Sequence, residues 1–125
     1  MKHVITDQLM ERYVNRWIRD YDNVYTFADV MEAIEAGHMQ SHVFGQTWVL
    51  TSIHEYPQRT TVHIDLVVGG IHDAIASEPL ICEWAKKQGA DLITGSGRPG
   101  WDPLRSKVSG WRMKGYLYSK DLRDG

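Results

Sequence analysis

Cysteine is nearly absent from this chain: Cys82 is the only one among 125 residues, and proline occurs four times. A single thiol excludes an intrachain disulfide framework and is the usage expected of a reducing compartment. Long hydrophobic runs are also lacking. No apolar stretch reaches the roughly 20 residues of a spanning helix, and the opening Met1-Lys2-His3-Val4-Ile5-Thr6-Asp7-Gln8 lacks a secretory pattern, so no membrane association is expected. Neither sign of charge dominates. Lys and Arg number 14 against 16 Asp and Glu, for a net charge of −2, and the two signs are interspersed, which argues against a nucleic-acid-binding groove. No repeat, linker or low-complexity segment divides the chain. Residues 1–125 therefore read as one domain, large enough to bury a core.

Several catalytic signatures are missing as well. There is no Gly-x-Ser-x-Gly elbow and no Cys-His arrangement, and the block Gly95-Ser96-Gly97-Arg98-Pro99-Gly100 lacks the Gly-Lys-Ser/Thr ending of a phosphate loop. His54, His63 and Asp65 can be pictured around a metal. No compact ligand spacing brings a fourth group to them, nor do His38, His42 and His72, so these histidines read as core or surface residues.

What is present is a clear change of period. Asp7 stands where an N-cap belongs for a helix to about Asp20, with Leu9, Met10, Tyr13, Val14, Trp17 and Ile18 on one face and Arg12, Arg16 and Arg19 on the other. Thr26-Phe27-Ala28-Asp29 has the spacing of a capping box for a second helix, which Gly37 stops. From Met39 the period becomes two. Val43-Phe44-Gly45, Trp48 to Glu55 and Thr60 to Val68 read as an antiparallel meander, with turns at Gln46-Thr47 and Tyr56-Pro57-Gln58-Arg59. In the last strand Val62, Ile64, Leu66 and Val68 alternate with Thr61, His63, Asp65 and Val67. Pro79 to Lys87 reads as a helix, with Pro79 in its first turn, Leu80, Ile81, Trp84 and Ala85 on one stripe and Gly89 beyond its end. A strand from Asp91 to Thr94, a Gly/Pro-rich turn, a short helix and a final strand through Tyr116 and Tyr118 complete the pattern, with Arg98 and Trp101 read as structural.

The phrase Trp84-Ala-Lys-Lys-Gln-Gly-Ala-Asp-Leu-Ile-Thr-Gly-Ser-Gly-Arg-Pro-Gly-Trp101, followed by Gly110-Trp111, resembles the C-terminal half of small GNAT-superfamily (N-acetyltransferase-fold) proteins of tailed phages and prophages. The likeness extends back through Trp48, Thr51 and Glu55-Tyr56-Pro57 and covers roughly residues 34–122. It implies an α+β fold with a mixed, mostly antiparallel sheet flanked by helices, its first strand lacking or hidden. In that fold the fourth and fifth strands splay at a bulge to admit the pantetheine of acetyl-CoA, and the next helix offers its N-terminus to the pyrophosphate. Here Gly69, Gly70, Ile71 and His72 fall at the cofactor-binding position. Asp65 and Glu55 are the carboxylates that can serve as base, and Tyr116 is the nearest counterpart of the family's acid.

The chain departs from the enzymes of that family. The signature Gln/Arg-x-x-Gly-x-Gly/Ala is missing, Asp73 and Glu78 lie where a diphosphate would be repelled, and no Tyr occurs between Asp91 and Gly115. The expectation is a degenerate phage GNAT-like domain acting through protein contacts, either a minor virion or assembly component or a host-directed effector. Its partner is then a phage or host protein, and its place the host cytoplasm or the virion. Acetyl-CoA-dependent N-acetyl transfer to an amine is the alternative. Five Trp and six Tyr fit a contact surface, with Trp111, Tyr116 and Tyr118 as its candidates.

Overall fold

Amphipathic patterning accounts for the first helix, in which Asp7 stands in the first turn rather than at the expected N-cap, and local caps account for the second. A computed structural model describes residues 7–97 and 99–124. Helix α1 spans Asp7–Asp20 and buries Val14 and Ile18, leaving Arg12, Arg16 and Arg19 exposed, as the periodicity predicts. Helix α2 spans Phe27–Ala36 and begins with the expected capping box. The Thr26 hydroxyl accepts from the Asp29 amide at 3.1 Å, and the Asp29 carboxylate accepts from the Thr26 amide at 2.9 Å. Those bonds hold the Asp29 carboxyl below its usual value. Gly37, at φ 84, closes the helix in the left-handed region that a side chain would strain. Thr26→Ala is expected to lower stability by about 1 kcal/mol, read as a shift in the urea midpoint at constant slope.

The sheet is mixed, with strand order β1-β2-β3-β4. Strands β1 (Gln40–Phe44), β2 (Thr47–Glu55) and β3 (Thr60–Val68) form the antiparallel meander. The first strand begins three residues earlier than the pattern predicts, and its turn is Gly45-Gln46. Helix α3 (Ile71–Lys87) crosses over, and β4 (Leu92–Gly95) pairs in parallel with β3. The α+β architecture expected from the sequence is present: a mostly antiparallel four-stranded sheet flanked by three helices.

Three local expectations are corrected. Helix α3 starts at Ile71, so Pro79 sits inside it. Its buried stripe is Ala74, Ser77, Ile81 and Ala85, while Leu80 points to solvent. The Ser77 hydroxyl bonds the Asp73 carbonyl at 2.8 Å and the Phe44 carbonyl at 3.1 Å, tying the first half of the helix to β1. The expected short helix after β4 is a 3₁₀ stretch, Pro99–Ser106. No strand follows it among the described residues: 111–120 carry no regular secondary structure. Arg98 lies outside the described residues.

Two apolar layers flank the sheet. On one face Trp48, Leu50, Leu66 and Val68 pack with Val14, Ile18 and Val30 of α1 and α2. On the other, Val49, Ile64, Val67 and Ile93 pack with Ile81 and Trp111. Leu66 and Ile64 thus lie on opposite faces although they are two residues apart, because the register slips between them. Leu50 pairs with Leu66 and Thr51 with Ile64, so Asp65 is the extra residue of a β-bulge. The unbroken alternation expected through Val62, Ile64, Leu66 and Val68 therefore fails at Asp65.

Candidate functional site

The bulge divides the α1/α2 face of the sheet into two halves. One is the apolar core; the other is a polar patch built from β2, β3 and β4. Ser52 pairs with His63 and His54 with Thr61 across β2 and β3, while Thr94 on β4 stands beside His63. The His63 ring is held through both nitrogens, Nδ1 at 2.7 Å from Thr94 Oγ1 and Nε2 at 3.0 Å from Ser96 Oγ. Ser52 Oγ lies 3.1 Å from His54 Nε2, and the His54 ring stacks on Tyr56 at 6.1 Å and stands edge-on to His63 at 6.5 Å.

Asp65 completes the patch. Its side chain is 12% exposed, with Oδ1 at 3.8 Å from His63 Nε2. Oδ2 is buried and has no hydrogen-bond partner; on the same face the Thr61 hydroxyl is likewise buried and unpartnered. A buried carboxylate oxygen without a donor costs stability, which makes Asp65 a candidate functional group; Thr47 away from the patch is buried and unpartnered too. Burial pushes the Asp65 carboxyl up from the ordinary value, against the opposing pull of Ser52, His63 and His54. Burial also pushes His63 down, with Asp65 opposing. Both groups are thereby drawn toward their uncharged forms. Beside them lies an open depression of about 350 Å³, lined by the 56–59 turn with Thr61, Leu92 and Thr94. Arg59 at its rim is tied down, its guanidinium donating to the Asp91 carbonyl at 2.7 Å.

The ladder beside β3 stops at this point, because β4 ends at Gly95. The β3–β4 ladder ends at Ile64 opposite Gly95, so the stretch from Asp65 to Val68 pairs with β2 alone among the described residues. That stretch leads to the N-terminus of α3, about 13 Å from Asp65 to Gly69 along the strand. Gly70 is the N-cap and receives no side-chain cap. A Cβ on Gly69, at φ 155, would stand 3.2 Å from Thr47 Oγ1 and 3.4 Å from the Gln46 carbonyl, so a side chain there would be strained and would press on the β1–β2 turn. Ile71 is partly buried and His72 exposed. Asp73 stands in the first turn, where its charge opposes an anion.

Of the sequence-predicted residues, only Asp65 joins the polar patch. Gly69, Gly70, Ile71 and His72 lie together beyond the C-terminal end of β3. Glu55, exposed at the last position of β2, is odd-numbered like Val49 and so belongs to the opposite face from Ser52 and His54. Tyr116 lies on no strand and is 76% exposed, so it does not reach in as an acid. Trp111 is not free surface: its ring packs against the Val49, Ile64 and Ile81 layer beside Gly95 at the end of β4, and Nε1 donates to Glu78 Oε2 at 2.9 Å. Cys82 is half-buried, its thiol pushed up by burial and by Glu78. No sequence pattern points to Thr94 and Ser96, because only the pairing of β4 with β3 brings them against His63; Ser52 is assigned to the right face by alternation alone. Among the described residues no group of three His, Cys, Asp or Glu side chains is placed to hold a metal ion.

No protein-family model and no curated protein matches this sequence. One solved structure similar to it is the crystal structure of TTHA1254, in a singly substituted form, from Thermus thermophilus. It has a TM-score of 0.57 and 14% identity, over 98% of this chain and 97% of that one. At that identity the likeness speaks for the fold alone. No helix among the described residues is long and apolar enough to cross a membrane.

Proposed function

We propose that the chain is a GNAT-like domain whose working part is the polar patch at the bulge, and that it transfers an acetyl group from acetyl-CoA to an amine of a protein or small molecule. One observation carries this reading: Asp65, a buried carboxylate with an unpartnered oxygen, follows directly on the last residue of β3 that pairs with the parallel strand β4. When bound, acetyl-CoA would supply the thioester carbonyl: the amine nitrogen would form the new C–N bond, the C–S bond would break, and the coenzyme A thiolate would leave and take its proton from solvent. Asp65 Oδ2 accepts the proton that the amine nitrogen sheds, and its raised pKa makes it a better base near neutral pH than an exposed carboxylate. His63, clamped by Thr94 and Ser96, stands 3.8 Å from Asp65 Oδ1 and forms a fixed wall beside the carboxylate. The unpaired edge of β3 from Asp65 to Val68 is where the pantetheine amides would bond, and the uncapped N-terminus of α3 would face the diphosphate. The fit there is weakened by Asp73, which predicts loose rather than tight cofactor binding.

A second reading, a phage-type domain working through protein contacts as a virion component or host-directed effector, is favoured by a separate observation. Tyr116, Leu117, Tyr118 and Leu122 are each more than three-quarters exposed near the C-terminus. Titration calorimetry of acetyl-CoA, with desulfo-CoA as the control, separates the two. Saturable binding in the micromolar to low millimolar range, shared by both ligands, is expected. No heat at millimolar ligand overturns acetyl transfer and leaves the contact reading.

A further inference from the structure

Both edges of the sheet, β1 and β4, are unpaired among the described residues, and residues 111–120 are strand-like sequence that pairs with neither. β4 bonds β3 on one side and no strand on the other among the described residues, with Leu92 exposed. The segment from Trp111, Trp-Arg-Met-Lys-Gly-Tyr-Leu-Tyr-Ser-Lys, mixes aromatic and apolar residues with basic ones as an edge strand does, yet carries no regular structure. It departs from the C-terminal end of β4, because the Trp111 ring lies 3.9 Å from where a Cβ on Gly95 would stand. Beyond that anchor the side chains turn outward: Met113 is 47% exposed, Tyr116 76%, Leu117 79% and Tyr118 85%.

We propose that residues 112–118 of one copy add as a strand to the β4 edge of a second copy, and the reverse, giving a two-fold dimer with exchanged tails. The partner is a second copy because each chain carries both halves of the contact, and a reciprocal exchange covers both at once. The area is sufficient. Tyr116 and Tyr118, at the usual burial of such rings, offer about 300 Å² per tail. Two tails and the two matching surfaces they cover bring the total to about 1,200 Å², the lower bound of a stable interface. Backbone ladder bonds to β4 fix the register. The exchange of tails is independent of acetyl transfer at Asp65.

The test is the mass of the full chain by light scattering and sedimentation from about 1 to 100 μM, a range that brackets an interface of this size. A dimer is expected, and Tyr116→Lys with Leu117→Lys is expected to raise its dissociation constant at least about tenfold. The paired substitution touches only exposed side chains, so the far-UV circular dichroism of the monomer stays unchanged. Leu92→Cys and Tyr116→Cys, placed on separate, differently tagged chains in a Cys82→Ser background, are expected to form a disulfide between the two chains. A monomer throughout, a dimer unmoved by the tail substitutions, or a bridge formed only within one doubly substituted chain would each overturn the proposal. Acetyl-CoA titration of the monomeric variant reads the Asp65 site separately.

Discussion

Asp65→Asn is expected to lower N-acetyl transfer by about 10²- to 10⁴-fold while leaving stability at neutral pH unchanged or raised. The amide keeps the shape of the side chain but cannot take a proton, and it no longer carries a charge into a partly dry site. The pH dependence gives the sharper signature. Because the native carboxyl titrates above its unfolded value, the folded chain holds a proton that the unfolded chain has released. Stability from this group is present below the ordinary carboxylate value and is lost as pH rises through the raised native value. His63 acts at the other end: its native value is lowered, so stability is present above the ordinary imidazole value and is lost as pH falls through the native one. Urea denaturation of the Asn variant across pH should lose the first slope and keep the second. Should the Asn variant lose more than about 1 kcal/mol at neutral pH, Asp65 is a structural residue and the proposed base is wrong.

Trp48→Ala carries the largest expected effect on stability, a loss of about 3–5 kcal/mol against a total of roughly 5–15 for a domain of this kind. The indole is 1% exposed and belongs to the cluster that joins α1 and α2 to the sheet. Its Nε1 also donates to Ser41 Oγ at 2.7 Å. Alanine leaves a cavity between two helices and a sheet, which close over it only in part because α2 is capped firmly at both ends. Trp48→Phe keeps most of the apolar contact and should lose less than half as much, since Ser41 is exposed and can bond water instead. Val43→Ala, on the neighbouring strand but 67% exposed, is the control and should change stability by less than about 0.5 kcal/mol. Chemical denaturation at a single pH measures all three. A Trp48→Ala loss below about 1.5 kcal/mol would mean that the helices do not hold that face shut.

Where a structural element depends on neighbours in sequence, it is legible in this chain. The capping box of Thr26 and Asp29, the apolar face of α1 and the meander of β1 to β3 all follow from spacing within a dozen residues, because helix caps and strand alternation are local geometry. The same reasoning misplaces the start of α3. Pro79 is common in a first helical turn, but here the packing of Ala74 and Ser77 against the sheet carries the helix through it, and burial outweighs the lost backbone bond. The unpaired C-terminal segment fails for a related reason: its strand-like pattern names a preference, and a strand exists only when another strand's backbone meets it.

The candidate site divides along the same line. Alternation and the scarcity of carboxylates on central strands are enough to single out Asp65 and Glu55, and no more than that. Only the tertiary structure separates them: the register slip between Leu50 and Thr51 turns Asp65 onto the polar patch, and parity leaves Glu55 exposed on the other face at a strand end. His63, Thr94, Ser96 and Ser52 meet because a parallel strand arriving after a 17-residue helix aligns Thr94 with His63. Composition and periodicity thus determine α1, α2 and the β1 to β3 meander and their order, since these depend on the chain's own covalent spacing. The buried stripe of α3, the bulge, the short β3–β4 ladder and the unpartnered carboxylate depend on which backbone meets which in space, and the fold alone decides that.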